Sequence, residues 1–60
     1  MEKFDKFERQ FLLEGLRLAE LATKKDIAMF EQAGGSPHIT SAMIDSVLAD
    51  LKKKIDANTN

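Results

Sequence analysis

The chain has 60 residues, 43% of them hydrophobic, and seven of those are alanine, so few large apolar side chains remain and one small domain over 1–60 is the most they can hold together. With no cysteine, disulfide stapling and cysteine-ligated zinc are excluded, which leaves tight helix packing and oligomerisation as reinforcement. Nine Lys and Arg against ten Asp and Glu give a net charge of −1 with the signs interspersed, which argues against duplex DNA or an anionic membrane as the partner.

From about Lys3 to Ala33 there is no proline, and Leu, Ala, Glu, Lys, Arg and Gln dominate, so one long helix is expected. At about 100° per residue, Phe4, Phe7, Phe11, Leu18, Ala22, Met29 and Ala33 share a stripe, widened by Leu12, Ala19 and Phe30 on one side and Leu21 on the other. Lys6, Arg9, Glu20, Lys24 and Glu31 point the opposite way, and Leu13, Leu16 and Ile27 add apolar surface on that far side. The pairs Glu2–Lys6, Asp5–Arg9 and Glu20–Lys24 have the acid-before-base spacing that supports a helix. Gly15 falls in the apolar stripe, as a point of close approach for another helix or as a local weak point.

Gly34 and Gly35 end this helix, since a glycine past the last periodic residue adopts the left-handed cap conformation at little steric cost. After the connection Ser36-Pro37-His38-Ile39, Thr40 is the natural N-cap of a second, short helix over about 41–55. Its Met43, Ile44, Val47, Leu48, Leu51 and Ile55 form one apolar face. The last residues, 57–60, read as a frayed tail.

The expected fold is all-α, an antiparallel helical hairpin that self-associates into a helical bundle. On length alone the short helix covers only the C-terminal half of the long one, which leaves Phe4, Phe7 and Phe11 beyond its reach. With Leu12, Leu16 and Leu18 they form the expected oligomer interface, a dimer first and a higher even number second.

No catalytic constellation stands out. His38 is the only histidine, and no Ser, His and acid set has triad spacing. No cofactor and no metal site is expected. A helix-turn-helix reading fails because the second helix carries Asp45 and Asp50, with basic residues only at its far end. Groups able to receive a small anion are Arg9, Arg17 and Lys25 at the edges of the apolar stripe, with His38, Thr40 and Ser41 at the start of the second helix. No apolar run nears the ~20 residues of a membrane span and no signal-peptide layout is present, so the cytoplasm is the expected location.

The functional expectation is therefore a non-enzymatic protein that works by binding. The first reading is a regulatory or inhibitory protein, of the size of phage or mobile-element accessory proteins, that occupies a partner protein. The second is an oligomer that sequesters a small anionic ligand, such as a nucleotide or cyclic nucleotide, between subunits. The third is a structural assembly subunit.

Overall fold

Asp5 sets where the first helix begins in the computed structural model, which describes residues 2–60. Its backbone is extended and its side chain accepts a hydrogen bond from the Glu8 N–H at 2.7 Å, while Glu8 Oε1 accepts one from the Asp5 N–H at 3.0 Å. This reciprocal capping box satisfies two of the donors a helix start leaves unpaired. Helix α1 accordingly spans Lys6–Gln32, three residues shorter at its start than the expected Lys3.

The other end of α1 is closed by the glycine pair, as expected. Gly34 takes a φ of 88°, its N–H donates to the Glu31 carbonyl, and the Gly35 N–H donates to the Phe30 carbonyl. These are the two bonds of a Schellman termination. A Cβ at Gly35 would run into the Phe30 ring, so a larger residue there requires that exposed ring to move aside.

Beyond the glycines the chain doubles back, and Pro37, His38 and Ile39 lie beside Asp26, Ile27 and Phe30. Helix α2, Ser41–Ala57, begins where the Thr40 hydroxyl accepts from the Met43 N–H at 3.2 Å. It runs antiparallel to α1: Lys24 Nζ meets Asp45 at 2.6 Å and Arg9 Nε meets Asp56 at 2.7 Å.

Because the connection has already retreated past the last turn and a half of α1, the ~25 Å of α2 lie against its middle and N-terminal parts. The expectation that α2 covers only the C-terminal half of α1 is thus corrected. The expected frayed tail is corrected too. Asn58 Nδ2 donates to the Lys54 carbonyl and Thr59 Oγ1 to the Ile55 carbonyl, and Phe4 pairs with this tail through Phe4 N–H to Asn58 O at 2.6 Å and Asn60 N–H to Phe4 O at 2.9 Å. Polar caps on otherwise orphaned carbonyls hold the strap in place.

The seam between the helices is built from Leu12, Leu13, Leu16, Thr23 and Ile27 on α1 and Ile44, Leu48 and Ile55 on α2, all buried or half-buried. Among the described residues the buried ones are Ile27, Leu48 and Ile55, at 7, 8 and 8% exposure. Thus α2 docks on the Leu13, Leu16 and Ile27 side of α1, the reverse of the face that the apolar stripe suggests.

The spacing explains the choice. Seam positions 13, 16, 20, 23 and 27 alternate steps of three and four, as do 44, 48, 51 and 55, so knobs of one helix enter gaps of the other. Gly15 interrupts nothing: α1 continues through it, and a Cβ there would meet no atom within 4 Å. Gly15→Ala is therefore expected to raise stability by ~0.5–1 kcal/mol, read as a higher urea midpoint by circular dichroism.

Candidate functional site

Docking α2 on one side of α1 leaves its opposite side bare. The centre of the Phe7, Phe11, Leu18 and Met29 row lies about 160° around the helix from the seam. Phe7 is 78% and Phe11 72% exposed, and Leu18, Leu21 and Met29 are all more than half exposed. Ala22 and Ala28 are exposed in the same band. The bare face therefore runs almost the whole length of α1, further than the Phe-bearing end singled out from sequence.

At that end Phe4, Phe7, Phe11 and Leu12 with Glu8 line a shallow apolar hollow of roughly 310 Å³. Phe4 is half-buried and tied by its backbone to the C-terminal strap. Of the six residues proposed for an oligomer interface, Phe7, Phe11 and Leu18 lie fully on the bare face. Leu12 and Leu16 belong to the intrachain seam, which lies on the side opposite to the one expected.

The candidate anion-binding residues do not come together as one group. Arg9 and Arg17 share a hollow of roughly 400 Å³ with Lys52, but Glu14, Glu20 and Asp56 line it as well. Arg9 pairs across the seam with Asp56, and Arg17 grips Glu14 through Nε at 3.1 Å and through its terminal nitrogen. Hydrogen bonding, aided by charge, holds the Glu14 carboxyl below and the Arg17 guanidinium above their usual ranges. Both arginines are thus already engaged by carboxylates.

Lys25 lies on the bare face, where it makes none of the ion pairs found among the described residues. His38 sits in the connection, Thr40 uses its hydroxyl in capping α2, and Ser41 is exposed at the first position of that helix. They stand at the opposite end of α2 from Arg9 and Asp56, some 25 Å away.

Three contacts were not foreseen from the sequence: the Asp5–Glu8 box, the Arg9–Asp56 pair and the Lys24–Asp45 pair. The D-x-x-E spacing just before the helical run was a readable signal for the first. The other two join residues far apart in the chain, which no local spacing encodes. Lys24 also bonds Glu20 at 2.8 Å, and hydrogen bonds from its ammonium to Asp45 and then Glu20 hold its pKa above the usual value.

The chain matches no known protein family, no curated protein and no solved structure. Among the described residues no group of three or more His, Cys, Asp or Glu is placed to hold a metal ion, and no helix is long and apolar enough to cross a membrane. What the molecule presents most prominently is an apolar helix face.

Proposed function

We propose that this chain is a non-catalytic binding protein that works as a self-associated helical hairpin in the cytoplasm, regulating or inhibiting a partner protein by occupying it. The observation that carries the reading is the bare Phe7, Phe11, Leu18, Leu21 and Met29 face. Monomeric proteins rarely keep so long an apolar strip in water, and such strips mark interaction surfaces.

Surface area supports self-association. The chain exposes 4943 Å², about 1,000 Å² more than a folded monomer of its mass is expected to show. Its radius of gyration of 14.3 Å likewise exceeds the ~10 Å of a compact 60-residue domain. The excess is of the order of the ~800 Å² that each partner contributes to a standard interface. Pairing of two rods removes such an excess without any change of fold.

A second reading, an oligomer that sequesters a small anion such as a nucleotide, draws support from the hollow that Arg9, Arg17 and Lys52 share. Its acidic lining weighs against it: an incoming phosphate has to displace Asp56 from Arg9 and Glu14 from Arg17.

Native mass spectrometry of the protein as purified tests both readings in one measurement. A dimer or higher even oligomer without adduct is expected. A carried ligand of nucleotide mass moves the assignment to the second reading, and a monomer of 6.7 kDa at every concentration overturns self-association.

A further inference from the structure

The bare face of α1 is apolar apart from two charges, and their positions specify how a second copy fits. We propose that two chains pair through this face as a symmetric antiparallel dimer, α1 against α1, in a single register that sets Glu14 of each chain beside Lys25 of the partner subunit. The inference rests on the self-association reading above and adds orientation and register to it.

Within α1 the bare face follows a heptad pattern, with Phe11, Leu18 and Lys25 at one seam position and Phe7, Glu14, Leu21 and Ala28 at the other. In an antiparallel pair the first kind of position faces the second. With the two-fold axis between Ala19 and Glu20, Leu18 faces the partner's Leu21 and Phe11 faces the partner's Ala28, a large side chain against a small one. Lys25 faces the partner's Glu14, and symmetry makes this ion pair twice. The axis falls half a residue from Ala19, the midpoint of Lys6–Gln32, so of the heptad registers this one gives the greatest overlap of the two helices. Charge and length select the same alignment independently.

The alternatives each carry a mismatch. A parallel pair sets Glu14 against Glu14 of the partner subunit and Lys25 against the partner's Lys25, two like-charge contacts. Sliding the antiparallel pair by one heptad one way buries Glu14 against the partner's Leu18, and the other way buries Lys25 against the partner's Leu21. Charges at core positions of a helical seam fix register in this manner, by what they disfavour. The Arg17 guanidinium holds the Glu14 carboxylate from the flank, and the carboxylate keeps further lone pairs for an ammonium from across the seam.

The test is charge reversal, with the dimer constant read by sedimentation equilibrium and helicity by circular dichroism. Glu14→Lys alone and Lys25→Glu alone each create two like-charge contacts and are expected to weaken the dimer about tenfold. The double variant Glu14→Lys/Lys25→Glu restores opposite charges and is expected to return close to the unaltered value, which also shows that the substitutions are tolerated by the fold. Dimerisation that ignores both single reversals, or a double variant no better than the singles, overturns the register and leaves self-association standing. An unaltered chain that stays monomeric overturns both.

Discussion

Leu48→Ala is expected to cost ~3 kcal/mol, the usual range for emptying a buried leucine site, and to leave the chain largely unfolded. A domain of this size seldom holds more than ~3–5 kcal/mol in its core, and here the buried set is Leu48 with Ile27 and Ile55. Each of these reaches across the seam, so the loss of one removes a substantial part of what joins the two helices. Val47→Ala provides the comparison on the same turn: Val47 is 53% exposed, and its truncation is expected to cost under ~1 kcal/mol. Urea denaturation followed at 222 nm separates the two. Equal, small effects would show that the seam described here is not what holds the hairpin.

The two helices, their caps at Thr40 and Gly34, and their antiparallel arrangement were legible in the sequence because each rests on a local rule. Propensity runs over a window, a cap sits next to what it caps, and a short connection makes neighbours antiparallel. The docking face was not legible in this way. Hydrophobic periodicity favours the side of α1 that carries Phe7, Phe11, Leu18 and Met29, since the true seam is diluted by Arg9, Glu20, Thr23 and Lys24.

Two of those polar seam members, Arg9 and Lys24, are held by partners that lie far off in sequence, and Glu20 by Lys24. Asp45 takes Lys24, Asp56 takes Arg9, and Thr23 is half-buried without any charge to solvate. A face carrying satisfied polar groups scores as solvent-exposed in any single-helix count. The reach of α2 is not encoded locally either: the segment 36–39 folds back along α1 instead of bridging straight across, and nothing in Ser36-Pro37-His38-Ile39 announces that direction. The bare apolar face was therefore visible through its most hydrophobic members, while its length along α1 depends on the tertiary placement of α2.

Phe11→Ala is the complementary experiment, because Phe11 contributes nothing to the seam and stands 72% exposed on the isolated chain. The fold of the single hairpin should hardly register its loss. Association should register it strongly: a ring that becomes buried between chains is worth ~3 kcal/mol or more per subunit, and since a symmetric dimer loses two such rings the dimer constant should fall by roughly ten-thousandfold. The measurement is the dependence of the thermal midpoint on protein concentration, which mass action requires of any fold stabilised by a second copy. The unaltered chain should melt at rising temperature as concentration increases, and Phe11→Ala should flatten that slope while its helix signal persists at the highest concentration. Phe7→Ala should act in the same direction but less, since in the antiparallel register Phe7 faces the partner's Gln32 at the margin, whereas Phe11 lies nearer the centre of the strip where buried anchors carry most of the binding energy. A slope unaffected by either substitution would mean that a second copy does not cover these rings, and that the face is held open for a different protein.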